Sequence, residues 1–231
     1  MMKPQEQLEK TIGYKFKNES LLTLALTHSS YAHEHHLGDT SENERLEYLG
    51  DAVLELLSSD FLYHHYPDYR EGELTRIRAA LVCEDSLGEI AVGIDLGDYI
   101  YMTRGEEKTG GRERKSLLSD AFEALIGAVY LDGGFDVASK FVERFVLVNT
   151  KDRALYHDAK SLLQEETQGR GMGRASYEII DQSGPDHAKV FTVAVYVNGE
   201  MMGTGTGNTK KDAEKKASYE ALLKLKGIRE E

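Results

Sequence analysis

Asn43-Glu44-Arg45-Leu46-Glu47-Tyr48-Leu49-Gly50-Asp51-Ala52-Val53-Leu54 is the most informative stretch of this 231-residue chain. Its acidic residues Glu44, Glu47 and Asp51, continued by Glu55, are spaced by three, four and four, so on a helix they form one stripe. Leu46, Leu49, Val53, Leu54, Leu56 and Leu57 make most of the remaining surface apolar. Ser41 followed by Glu44 has the pattern of a capping box opening this helix, and Pro67 marks where it must stop. A second apolar segment, Leu117 to Ile126, repeats the device, with Asp120 and Glu123 on one face. Two like charges ~5 Å apart repel by about 3 kcal/mol at an effective dielectric near 20, so converging carboxylates must take up protons, basic partners or a divalent cation. Spacing alone leaves two readings open, a solvated acidic face and a cation-binding cluster. Glu44 has a further one, as the second half of the cap.

Outward from these two segments, residues 1–150 read as helix after helix. Asn18 caps a helix through Leu21, Leu22, Leu24 and Leu26; further helices are expected at 71–83, 85–92, 113–131 and from Val137 to Val146. Nothing there alternates like a strand for long, so the first domain is expected to be all-α. After about residue 150 the pattern changes. Polar Asn149–Arg153 reads as a linker, followed by a helix over 158–168, and strands over Tyr177–Asp181, Val190–Val197 and Met201–Thr206. Asn198-Gly199 is a strong hairpin signal between the last two. A final helix runs from near Thr209 to Lys226. The expected organisation is an all-α domain at 1–150, a linker at 151–156 and a small α+β domain of α-β-β-β-α order at 157–227.

A single cysteine, Cys83, excludes an internal disulfide and a CxxC metal or redox site. No apolar run approaches the ~20 residues that cross a bilayer, and Met1–Lys10 has no apolar core of a secretory signal, so a cytoplasmic location without a membrane partner is expected. The formal charge of −12 is unevenly placed. Residues 1–150 hold 15 Lys+Arg against 27 Asp+Glu, and residues 151–231 hold 13 of each. An acidic domain joined to a neutral one with local basic clusters suggests two different tasks. Within the second, Lys210 and Lys211 fall in the first turn of the last helix, where cations oppose the helix dipole but backbone amides attract anions. A phosphate site and a solvated lysine-rich face both fit. His33-Glu34-His35-His36 lacks the HExxH spacing and reads as a solvated loop.

The stretch Asn43–Leu54 resembles the signature segment of the ribonuclease III family, with Tyr48 where phenylalanine is frequent. The resemblance extends through Thr27-His28-Ser29-Ser30-Tyr31, Gly72–Val82, Gly105-Glu106-Glu107-Lys108, Ser119–Gly127 and Tyr130–Phe135. It implies Mg²⁺, with Mn²⁺ as substitute, held by Glu47, Asp51, Asp120 and Glu123, and no small-molecule cofactor beyond the metal. Asp51 and Glu123 would be the catalytic pair, and Glu44 a supporting acidic residue near a homodimer interface. The implied reaction is hydrolysis of both strands of double-stranded RNA, leaving 5′-phosphate and 3′-hydroxyl ends with short 3′ overhangs, in ribosomal and messenger RNA processing.

The α-β-β-β-α segment resembles the double-stranded RNA-binding domain, which reads duplex shape across two minor grooves and the phosphates between. Carried over by position, Ser161, Gln164, Glu165 and Gln168 would face one minor groove, His187 the next, and Lys210 and Lys211 the phosphates. Glu214 stands where stand-alone binders often carry lysine, with Lys215 as the nearest replacement. Arg76 and Arg78, with Lys108, Arg112 and Arg114, are candidates for RNA contact from the first domain. The rival reading is a non-catalytic RNA binder with structural acidic helices; the intact set of Glu47, Asp51, Asp120 and Glu123 speaks against it.

Overall fold

The computed structural model describes residues 4–38, 40–185 and 189–227. The chain forms two compact units, Met1–Thr150 and Lys151–Glu231.

The first unit is helical: α1 (Gln5–Ile12), α2 (Glu19–Ala25), α3 (Ser29–Glu34), α4 (Glu44–His65), α5 (Glu71–Val82), α6 (Glu84–Gly93), α7 (Arg104–Lys108), α8 (Lys115–Gly133) and α9 (Phe135–Phe145), with α10 (Thr150–His157) starting at its end. Helix α8 is its centre. Every residue from Leu117 to Val129 is buried except Asp120 and Glu123. A helix apolar on nearly all sides has to be wrapped by others, and α2, α4, α6 and α9 pack around it. Phe122 of α8 meets Phe141 and Phe145 of α9 at ring-centroid distances of 5.9 and 6.5 Å. At the far end of α8, Asp132 fastens the N-terminal segment: it accepts from Tyr14 Oη at 2.6 Å and from the amides of Lys17 and Asn18 at 2.9 Å.

Asn18 caps α2 as expected, accepting from the Ser20 amide. The capping box expected at Ser41 does not form. Helix α4 begins two residues later than that pattern requires, with Asn43 at the N-cap. The Ser41 hydroxyl instead donates back to Leu37 O, and Glu42 accepts from the Glu44 amide at 2.7 Å. Asn43 itself is drawn into the interior, its amide bonded to Thr27 O at 2.9 Å. Glu44 is thereby left exposed in the first turn, free of a capping duty.

The second unit contains α11 (Ala159–Gly169), β1 (Ser176–Ser183), β2 (Val190–Val197), β3 (Glu200–Gly207) and α12 (Lys210–Leu225). The strands form an antiparallel sheet of order β1-β2-β3. Asn198 and Gly199 both take positive φ in the tight turn between β2 and β3. Ala159, Leu163, Val195, Ala217, Ala221 and Leu222 make the core between the sheet and the two helices. The Gly203-Thr204-Gly205-Thr206-Gly207 run lies in β3, where a strand over Met201–Thr206 was expected. A Cβ on Gly205 would lie 2.3 Å from Ala213 O, so glycine there lets α12 lie directly on the sheet. The segment expected as a linker, 151–156, is helical, being most of α10. It carries no glycine or proline to stop a helix.

Candidate active site

The site rests on the crossing of α4 and α8. A Cβ on Gly50 would fall 1.8 Å from Glu123 O, and one on Gly127 would fall 2.3 Å from Leu46 O. The two backbones therefore touch, which only glycine allows. Glu47 and Asp51 flank Gly50 on α4, and Asp120 and Glu123 precede Gly127 on α8. The close approach brings these two pairs into each other's electrostatic reach.

The ionisation of the group records that proximity. Glu123 is pushed up to about 8, first by burial, then by the negative charges of Asp51, Glu47, Asp120 and Glu55. Glu47 is raised by burial and by Asp120, Glu44, Glu42 and Asp51. Asp120 is raised by burial and by Glu84, with His28 acting in the opposite direction. Among the described residues none of these four carboxylates is ion-paired or hydrogen-bonded through its side chain. Nor do any three His, Cys, Asp or Glu side chains among them form a ready-made metal cage. Hard oxygen donors that repel one another and lack an internal counter-charge fit a hard divalent cation that keeps several of its waters.

A cleft of about 310 Å³ opens beside the crossing, lined by His28, Ser29, Asn43, Glu44, Glu47, Leu117 and Asp120. Asp51 and Glu123 do not line it. Sequence reasoning did not single out His28 as a site residue, although it stands in one of the matching stretches. His28 Nδ1 accepts from the Ser30 amide at 3.2 Å, capping α3, so the hydrogen-bearing nitrogen of the neutral ring is Nε2. The His33–His36 cluster ends α3, where His35 packs on Tyr31 at 4.1 Å.

Residues 18–150 match the family model described as ribonuclease-III-like, and residues 159–225 match the double-stranded RNA binding motif. The chain belongs to the ribonuclease III family. It is 47% identical to ribonuclease 3 of Desulforamulus reducens, over 99% of this chain and 95% of that protein. Ribonuclease 3 of Listeria monocytogenes is 46% identical, over 97% and 99%. Among solved structures, the nuclease domain of ribonuclease III from Campylobacter jejuni is 44% identical, with a TM-score of 0.59, covering 63% of this chain and 98% of that one. The enzyme class of a ribonuclease III, a double-strand-specific endoribonuclease, follows from this membership.

Several basic residues considered for RNA contact in the ribonuclease III-like unit are committed internally. Arg78 Nε pairs with Glu55 at 2.8 Å while Nη1 donates to Ser59 Oγ at 2.7 Å. Arg112 pairs with Glu107 at 2.7 Å and donates to Gly97 O and Ile100 O, so it braces a loop. Arg114 pairs with Glu106 at 2.5 Å. Arg76 and Lys108 are exposed.

In the double-stranded RNA binding motif, Ser161, Glu165 and Gln168 are exposed on α11. Gln164 is half-buried, and its Nε2 is shielded without a hydrogen-bond partner. His187 lies outside the described residues. Thr209 caps α12 by accepting from the Asp212 amide at 3.1 Å. Lys210 and Lys211 are exposed on the first turn, and Lys210 Nζ lies 5.9 Å from the Phe191 ring centre. Lys215 is not in Glu214's place: its ammonium lies 4.6 Å over the Tyr156 ring.

Proposed function

We propose that this chain is a homodimeric, Mg²⁺-dependent endonuclease that hydrolyses both strands of double-stranded RNA. Its products would be 5′-phosphate and 3′-hydroxyl ends with short 3′ overhangs, and its setting the cytoplasmic processing of ribosomal and messenger RNA. The observation that carries the reading is the set of four carboxylates without counter-ions at the α4–α8 contact, with Glu123 pushed up to about 8.

Glu47, Asp51, Asp120 and Glu123 would hold Mg²⁺, or Mn²⁺ in its place. When bound, the ion supplies a water of lowered pKa and relief of charge on the phosphate. Asp51 and Glu123 orient the attacking water and hold its proton, and the close helix contact fixes their separation. Glu44 adds a carboxylate to the mouth of the adjoining cleft. His28, with Nε2 as its hydrogen-bearing nitrogen, would serve as a donor in the same cleft.

RNA would be gripped by the second unit. Lys210 and Lys211 meet phosphates, and Ser161, Gln164, Glu165, Gln168 and His187 follow the minor grooves. Arg76 and Arg78 add contacts from the first unit, Arg78 through the guanidinium edge that Glu55 and Ser59 leave open.

The dimer rests on α4. Tyr48, Leu56 and Tyr63 lie within one 80° strip of that helix by its 100° step, and Tyr48 and Tyr63 are 82% and 69% exposed. Exposed aromatics in a row suit a subunit contact, and a twofold axis gives two cutting sites for two antiparallel strands. The reading is tested by incubating the protein with long double-stranded RNA, with and without Mg²⁺, and analysing the ends. Short duplexes with 5′-phosphates and recessed 5′ ends are expected only with the ion. Intact RNA in ample Mg²⁺ would overturn the reading.

A further inference from the structure

On α12, Glu214 lies between the two exposed lysines of the first turn. At 100° per residue it falls about 40° from Lys210 and about 60° from Lys211, one turn further along. Its carboxylate is therefore part of the same strip of surface. It binds the ammonium of Lys160 from α11, Nζ to Oε2 at 2.5 Å, and Lys160 Nζ also lies 4.7 Å over the Tyr177 ring. Tyr177 is tied to α12 in turn, its hydroxyl 2.7 Å from Ser218 Oγ. The pair is thus held by a packed frame that joins the two helices and β1. Elsewhere on the helix the charges are also settled locally. Lys216 binds Asp212 and Thr206 O, both at 2.9 Å, and Lys215 lies over Tyr156.

We infer that the Lys160–Glu214 pair limits the affinity of this unit for double-stranded RNA. This rests on the proposal that Lys210 and Lys211 meet phosphates. Where two lysines approach a phosphate row, Glu214 presents a negative charge to it and also cancels Lys160, the cation it binds. The strip carries two effective positive charges where it could carry three. The pair keeps the sequence-independent grip of the second unit weak, so that productive binding depends on the duplex also engaging the first unit. The effect should be electrostatic and salt-sensitive, because each phosphate contact contributes about 0.9 to the slope of log K against log salt.

The test uses the full-length chain in the Glu123→Gln background in a chelating buffer, with the RNA recovered and checked to be uncut. Binding of a duplex of about 30 base pairs is measured between about 50 and 200 mM salt, a span over which one contact changes affinity about threefold. Glu214→Gln should tighten binding about threefold to tenfold at the low-salt end and steepen the slope by about one. Lys160→Gln should weaken binding in either background: with Glu214 present it leaves that carboxylate unneutralised, and in Glu214→Gln it removes a released cation. The parent and the variant carrying both changes should therefore bind with similar slopes. Thermal melting of each variant shows whether the fold is kept, and Glu214→Ala provides a second removal of the charge. Lys210→Gln with Lys211→Gln tests the underlying reading, with an expected loss of one to two units of slope, about one per phosphate contact. If that double variant weakens binding but folded Glu214→Gln and Glu214→Ala bind as the parent does, the inference fails and the reading stands. If the double variant binds with unchanged affinity and slope, the reading fails too.

Discussion

Burial and neighbouring carboxylates hold the Glu123 carboxyl near 8, against an ordinary value of 4.5. The consequence for stability has a definite sign. A raised folded-state pKa means that the group's favourable contribution is complete below about 4.5 and is lost as pH rises through about 8. Metal-free protein should therefore lose stability across that window, in part through this residue. Urea melts in a chelating buffer should show the decline, and it should be shallower in Glu123→Gln, which has no charge to acquire there. Adding Mg²⁺ should restore stability most at the alkaline end, where the carboxylates are most fully ionised. Equal pH slopes for the two proteins without metal would remove Glu123 from the account. At this scale the sequence was legible where spacing decides, as with the stripe of Glu44, Glu47, Asp51 and Glu55. It was not legible for arginines. Nothing in the string Gly111-Arg112-Glu113-Arg114 shows that Arg112 turns inward to two backbone carbonyls while Arg114 finds Glu106.

At the scale of elements, the contact between α4 and α8 governs the geometry of the four carboxylates. Gly50→Ala would drive a methyl into Glu123 O, a backbone atom that cannot rotate away. The helices would have to separate, at a cost of at least about 1–3 kcal/mol, and the carboxylates would part with them. Gly72→Ala is the contrast: an added Cβ there meets nothing within 4 Å, on the exposed first turn of α5. Helix propensity gains up to about 1 kcal/mol from that change. Thermal melts should rank Gly72→Ala at or above the parent and Gly50→Ala well below it, with cleavage lost in the latter. The helices themselves were readable from apolar periodicity, and their limits less so. Ser41 and Glu44 match a capping box as letters, yet Asn43 is pulled inward by its amide bond to Thr27 O, and that contact with a residue sixteen positions earlier sets the start of α4. The 151–156 segment is helical, and its polar letters hide Ala154 and Leu155, of which the first is buried and the second packs against the core of the second unit.

The whole molecule divides its charge as it divides its fold, net −12 in residues 1–150 and zero in residues 151–231. A protein ending near Thr150 should stay folded, since the core around α8 is complete without the second unit. It should still cut double-stranded RNA, but mainly at low salt and with ample Mg²⁺. Its acidic field repels phosphates, so only local basic residues can offset that repulsion. Cleavage by this fragment that is indifferent to salt would mean that the first unit holds RNA by other means. The central claim is that the carboxylates at the α4–α8 contact perform the cut and the second unit holds the duplex. Single-turnover cleavage of a preformed complex with Glu123→Gln tests it most directly, with RNA affinity measured on the same preparation. The account predicts a rate reduced by at least about a thousandfold in saturating Mg²⁺, with affinity within about threefold of the parent, as for a group acting in the transition state rather than in binding. A rate within tenfold of the parent would contradict it.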